Sequence, residues 1–179
     1  KGEGIPGRIN NVTNLRACRG KYIAMLDGDD YWHDPNKLSR CVRFLEENPE
    51  YDLIFHDMLM QNENGRVVSG NYRDYYGRYL TELYRYKDDF DLSFQDVLRA
   101  GASQGATSSM VFRRKKVMPL PAWFFEVIAA DYSLELLATH KSKARYFIDR
   151  LGTYYIHENS VSKTFSRTIF SFDKKFALS

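Results

Sequence analysis

The sharpest change of pattern along the chain falls where the apolar run Tyr22-Ile23-Ala24-Met25-Leu26 ends on Asp27-Gly28-Asp29-Asp30. An apolar run of this length bounded by turn chemistry predicts a core strand covered on both faces. Gly28 lets the backbone bend at its end. Before it, Ile9, Val12, Leu15 and the segment to Cys18 keep helical spacing and predict a helix closed by Gly20 as its C-cap. After it, Asp34-Pro35 reads as the N-cap and first residue of a helix. Leu38, Cys41, Val42 and Leu45 form that helix's apolar stripe, and Asn48-Pro49 ends it.

Tyr51 to Met60 predicts a second strand, and Asn62-Glu63-Asn64-Gly65 a hairpin-type turn into a short return strand at Arg66-Val67-Val68. From Asn71 to Asp91 the periodicity is weak, which predicts a loop with a helix over Tyr79 to Tyr86. Phe94 to Ala100 predicts a short helix ended by Gly101. The small-residue run Gly101 to Ala106 leads into a strand at Thr107 to Phe112. That run fits a close backbone approach to a ligand and a plain loop equally well. Ala130-Asp131-Tyr132 opens a helix with Leu134, Leu137 and Ala138 towards the core. Ala144 to Ile148 and Gly152 to Ile156 read as a closing strand pair across Asp149-Arg150, and Phe165 to Ser179 as a C-terminal helix.

Composition narrows the class. A chain of 179 residues predicts one domain with a substantial core. The net charge of +3, from 26 basic and 23 acidic residues, is too balanced for a nucleic-acid binder. Arg113-Arg114-Lys115-Lys116 is the one basic run and reads as a solvated strand end rather than a phosphate or membrane contact. Thirteen tyrosines suit a groove or interface lined by polar-tipped rings. Cys18 and Cys41 lack metal or redox spacing and read as free thiols in a reducing compartment. No apolar run reaches the ~20 residues of a membrane span, and no signal peptide is recognisable. The chain opens at Lys1 in a glycine-rich loop with no strand before it, and so reads as a piece whose beginning is missing.

Chemistry concentrates in Asp27, Asp29, Asp30, Asp131 and His157. Three neighbouring carboxylates repel one another unless water, donors or a cation neutralise them. An isolated Asp-Gly-Asp-Asp is as readily a solvated acidic turn. The strand in front and Tyr31-Trp32 behind favour a divalent-metal site, with Mg²⁺ or Mn²⁺ suited to hard oxygens and an imidazole tipping towards Mn²⁺. An EF-hand is excluded, because the sixth loop position from Asp27 is Trp32 and the twelfth is Leu38. Four scattered histidines and two cysteines give no zinc spacing.

Asn10, Gly20-Lys21-Tyr22-Ile23-Ala24, Leu26-Asp27-Gly28-Asp29-Asp30-Tyr31-Trp32, Asp34-Pro35, Lys37-Leu38 and Phe44 to Glu50 together resemble the family 2 glycosyltransferases of GT-A fold. Ser108 to Arg114, Ala130-Asp131-Tyr132 and Tyr154 to Glu158 are similar to that family's later segments, in the same order. Ala130 departs from the acid or glycine common before the base, and Ile156 from the usual arginine. The resemblance implies an α/β, Rossmann-like three-layer sandwich with a mixed sheet, lacking its first nucleotide-binding strands. It implies one partial catalytic domain over 1–179: a donor metal site at 20–35, an acceptor and base part at 101–162, and a helical tail at 163–179.

The implied activity is inverting transfer from a nucleotide-diphosphate sugar to a saccharide or other hydroxyl acceptor in polysaccharide or glycoconjugate synthesis, with Mn²⁺ or Mg²⁺ as cofactor. Asp27-Gly28-Asp29 would be the DxD motif. Asp29 and His157 would hold the metal; Asp27, Asp30 and Asn10 would contact the donor. Asp131 would be the general base, or only a helix N-cap. The location implied is cytoplasmic or at the inner face of the membrane, with peripheral membrane association and self-association of the chain as further expectations. A non-catalytic nucleotide-sugar-binding module and another metal-dependent phosphoryl-transfer enzyme are the alternatives.

Overall fold

Two long apolar runs set the sheet. The computed structural model describes residues 8–76, 88–101, 104–127 and 129–157. Strands β1 (Tyr22–Ala24), β2 (Tyr31–Trp32), β3 (Tyr51–Asn62), β4 (Val67–Ser69), β5 (Phe90–Ser93), β6 (Val111–Arg113) and β7 (Lys143–Ile156) form one mixed sheet. The order is β1-β6-β3-β7-β2, with β4 beside β3 and β5 beside β7. β3 and β7 run parallel at the centre, and β6 is antiparallel to both β1 and β3. The first eight residues of β3 are buried without alternation, as a strand covered on both faces requires.

The helices are α1 (Arg8–Ala17), α2 (Lys37–Glu47), α3 (Tyr72–Tyr76), α4 (Phe94–Ala100), α5 (Arg114–Val117) and α6 (Ala130–Thr139). On one face of the sheet Val12, Leu15, Val97, Tyr132 and Leu134 pack with Leu53, Phe55, Phe112 and Tyr146. On the other, Cys41 and Leu45 of α2 pack with Ile54, Val111 and Phe147. The result is the expected α/β/α sandwich with a mixed sheet. A buried ion pair, Asp57 Oδ2 with Arg73 Nε at 2.8 Å, pins α3 to β3, and Asp57 Oδ1 also accepts the Tyr72 N–H.

Several elements differ from expectation, each for a physical reason. β1 is three residues long and buries only Ile23 fully, with Leu26 47% exposed. Among the described residues it pairs with β6 alone, and Tyr22 and Ala24 on either side of Ile23 are only half-buried. Gly20 has no left-handed φ and is not a C-cap. The cap of α2 is Asn36, two residues beyond the expected cap Asp34, whose Oδ1 accepts the Asn36 N–H at 2.7 Å. Its buried face is Lys37, Cys41 and Leu45, with Leu38 exposed.

The expected strand pair across Asp149-Arg150 is a single strand, β7. Its register against β3 moves from His56↔Phe147 to Asp57↔Arg150, a bulge that resembles turn chemistry in the sequence. Thr107–Ser109 is a 3₁₀ turn, and the strand begins only at Val111. The basic run is a solvated strand end only in part: Arg113 Nε and Lys116 Nζ both pair with buried Asp52, while Lys115 is exposed. The helices expected at 79–86 and 165–179 lie outside the described residues.

Gly105, in the small-residue run, approaches the core rather than a ligand. A Cβ there would stand 2.5 Å from Phe55 Cδ1 and 3.1 Å from Ser109 Oγ. Gly105→Ala is expected to cost about 1–3 kcal/mol through overpacking. Denaturant unfolding measures it, and an unchanged midpoint would show that Phe55 yields freely.

Candidate functional site

β1 carries the chain to the sheet end, and the acid loop turns there with the Asp30 N–H donating to the Asp27 carbonyl at 3.2 Å. Ser108 holds the loop from the far side of the sequence. The Asp27 N–H donates to Ser108 Oγ at 2.9 Å. The Ser108 carbonyl accepts from both Trp32 Nε1 at 2.8 Å and Lys37 Nζ at 2.9 Å. Lys37 is 1% exposed, its ammonium 3.5 Å from the centre of the Trp32 ring. Burial pushes its pKa down to about 7. Because β2 pairs with β7, the end of β7 also reaches the loop. The Tyr155 N–H donates to Asp30 Oδ1 at 2.8 Å, and His157 Nε2 meets Asp29 Oδ2 at 3.0 Å.

Desolvation, then the charges of Asp30, Asp131 and Asp29, push Asp27 up to about 7, although the residue as a whole is exposed. Burial also raises Asp30, against the opposing effects of Ser108 and the Tyr155 N–H. Asp30 Oδ2 is buried and makes no hydrogen bond of normal geometry, although the Ser108 hydroxyl nearby favours the charged form. These carboxylates therefore share one field, as a cluster that attracts a cation does.

Asp131 lies in the first turn of α6, whose N-cap is Ala129, so the capping role considered from sequence does not apply. Its Oδ1 accepts the Tyr132 N–H at 2.9 Å, and its Oδ2 accepts from Thr107 Oγ1 at 3.3 Å. Adjacent residues of one 3₁₀ turn, Thr107 and Ser108, thus hold Asp131 on one side and the acid loop on the other. Glu135, one helical turn after Asp131, is fully buried with Oε2 unpartnered. Burial, then the Asp131 charge, raise its pKa well above the usual carboxylate value.

A carboxyl whose pKa is raised by folding holds its proton while the unfolded chain has lost it. Stability then falls as pH climbs above the unfolded value, by up to about 1.4 kcal/mol per pH unit until the folded pKa is reached. Glu135→Gln removes this slope. Melting curves from pH 5 to pH 8 are expected to move progressively in the variant's favour, and parallel curves would refute the assignment.

The structure brings Asp27, Asp29, Asp30, Asp131 and His157 to one end of the sheet. Asn10 is exposed on α1, and among the described residues no hydrogen bond joins it to the acid loop. Among the described residues no group of three or more His, Cys, Asp or Glu side chains is arranged to hold a metal ion; Asp29 and His157 meet as a pair. Sequence reasoning assigned no role to Thr107, Ser108, Lys37 or Glu135. Ser108 and Lys37 fell inside matched segments, but nothing in their residue type signalled a clamp.

The model of the family "Glycosyl transferase family 2" matches residues 8–116, more than half of the chain and all of the acid loop. The chain belongs to that family. An uncharacterized protein of Mycobacterium tuberculosis is 47% identical over 132 residues, which is 69% of this chain and 33% of the relative. An uncharacterized protein of Mycobacterium bovis matches to the same extent. A protein of Methanocaldococcus jannaschii described as an uncharacterized glycosyltransferase is 27% identical over 141 residues, 76% of this chain and 45% of the relative. The chain thus spans about a third of the mycobacterial relatives and under half of the archaeal one. The mixed sheet with its antiparallel β6 is a GT-A-like architecture.

Proposed function

We propose that this glycosyltransferase domain carries an inverting centre that moves a sugar from a nucleotide-diphosphate sugar to a hydroxyl acceptor, in polysaccharide or glycoconjugate synthesis. The observation that carries the reading is the Thr107-Ser108 turn, which ties Asp131 and the acid loop into one electrostatic unit. Asp29 and His157 would hold Mn²⁺ or Mg²⁺. Such ions are commonly held by one or two protein groups, with phosphate oxygens and water supplying the rest, so a pair of donors fits. When bound, the ion supplies Lewis-acid stabilisation of the leaving diphosphate.

Asp27 is placed towards the ribose or donor sugar. Asp30, buried and fixed through Oδ1 by the Tyr155 N–H, would serve the donor by holding the loop that carries Asp27 and Asp29. Asp131 takes the proton of the acceptor hydroxyl as it attacks. The reaction is placed in the cytoplasm or at the inner face of the membrane, as the family resemblance implies. Calorimetric titration of the intact protein with nucleoside diphosphates tests the donor half of this reading. Binding that requires Mn²⁺ supports it; binding indifferent to the metal, or none with any nucleoside diphosphate, counts against it.

A further inference from the structure

The end of β1 opposite the acid loop carries the reverse charge. A depression of about 360 Å³ there is lined by Arg19, Gly20, Lys21, Arg113, Arg114 and Lys115. Two of its cations are already committed. Lys21 binds Glu46 at 2.6 Å, and buried Arg113 serves Asp52, the Tyr22 hydroxyl and the carbonyls of Leu45 and Tyr51. Arg19 and Lys115 are exposed, Arg114 is half-buried with an unpartnered Nε, and none of the three has an ion pair among the described residues.

An exposed aromatic ring lies against the cation that precedes the bowl along the chain. Arg16, in the last turn of α1 just before Arg19, stands 5.3 Å from the centre of the Phe125 ring, which is 40% exposed. Exposed Glu126 follows Phe125, and exposed Glu47 and Glu50 lie just before β3; none of the three has an ion pair among the described residues.

We infer that this face docks the protein on an anionic bilayer, with Arg16, Arg19, Arg114 and Lys115 at the phosphate headgroups and Phe125 entering the interface. Unpaired cations spread over an open bowl suit a plane of headgroups better than one enclosed anion. An exposed ring among cations is the pattern of an interfacial anchor. The polarity along β1 orients the docked molecule, because an anionic surface attracts the basic end and repels the acid loop. The acid loop then faces away from the bilayer, and substrates reach it from the aqueous side. The inference stands independently of the reaction assigned to that loop.

Co-sedimentation of the full chain with vesicles tests it. Vesicles of phosphatidylcholine containing about one-third phosphatidylglycerol are expected to bind the chain, and pure phosphatidylcholine is not. Binding should weaken steeply between about 0.05 M and about 0.5 M salt. Arg19→Glu with Lys115→Glu should lower affinity by about 25-fold or more, on the scale of one surface cation per about fivefold. Arg43→Glu with Arg66→Glu makes the same charge change on exposed residues elsewhere and should leave most of the affinity. Phe125→Ser should weaken binding without altering the salt slope.

Equal losses in the two double variants would overturn the inference, since diffuse net charge would then explain the binding. Indifference to phosphatidylglycerol would overturn it as well. So would displacement from vesicles by inorganic phosphate at matched ionic strength, which indicates a free-anion site, or tighter binding to RNA than to vesicles.

Discussion

Asp29→Ala is expected to lower metal-dependent donor turnover of the intact protein by about 10²–10³-fold or more, the scale on which loss of one charge-stabilising group at a leaving group is felt. No neutral side chain replaces the carboxylate that would join metal to diphosphate. The fold should not notice the change. Asp29 and His157 meet at 3.0 Å with side chains 43% and 27% exposed, an ion pair only when the imidazole is protonated, and surface pairs of this kind contribute about 0–1 kcal/mol. Turnover and melting therefore separate the chemical from the structural role. A variant that keeps wild-type kcat removes Asp29 from the reaction. One that loses activity together with melting temperature makes the Asp29–His157 contact a structural tie. Asp27→Ala should act differently, chiefly by raising KM, if its role is a donor contact.

The second large effect is expected at Asp131. Asp131→Asn keeps the shape and one acceptor contact: its amide oxygen still receives the hydrogen bond of the Tyr132 N–H, and its NH2 group can donate to the Thr107 hydroxyl instead of accepting from it. It cannot take a proton, so transfer should fall by about 10²-fold or more with donor binding retained. Melting should stay close to wild type, because Ala129 and not Asp131 occupies the cap of α6. Loss of one neighbouring charge should also bring Asp27 down towards the ordinary carboxylate range. Transfer at wild-type rate in Asp131→Asn would leave the base unassigned.

The elements that were legible in the sequence are those specified locally. Helix α4 runs from Phe94 to Ala100 and ends on Gly101 at φ 70°, where a left-handed backbone favours glycine. Its reciprocal Ser93–Asp96 capping box was also there to be read. β3 was legible from Leu53 to Phe55 and Met58 to Met60, although Asp52, His56 and Asp57 are buried among them. The acid loop was found because its residue types and its strand lie together in sequence.

What was not legible depends on contacts between distant segments. β7 was split in two because Asp149-Arg150 reads as a turn, whereas a bulge against β3 accommodates it. The 3₁₀ turn at Thr107–Ser109 has no period to detect, and Ser108 acquires its role only when β2, α2 and β1 surround it. Lysines are rarely fully buried, so the apolar stripe of α2 was drawn through Leu38. The structure instead turns Lys37 inward against Trp32.

The products released from nucleotide-sugar donors by the intact protein test the central assignment most directly. Incubation with Mn²⁺, donor and a hydroxyl acceptor, followed by chromatography and NMR of the new glycoside, is expected to show nucleoside diphosphate in equal amount to a glycoside of inverted anomeric configuration. Removal of the metal should stop both. Nucleoside monophosphate or pyrophosphate as the product would instead make the acid loop a phosphoryl-transfer site. Metal-dependent binding of a nucleotide sugar that never turns over would make the domain a binding module.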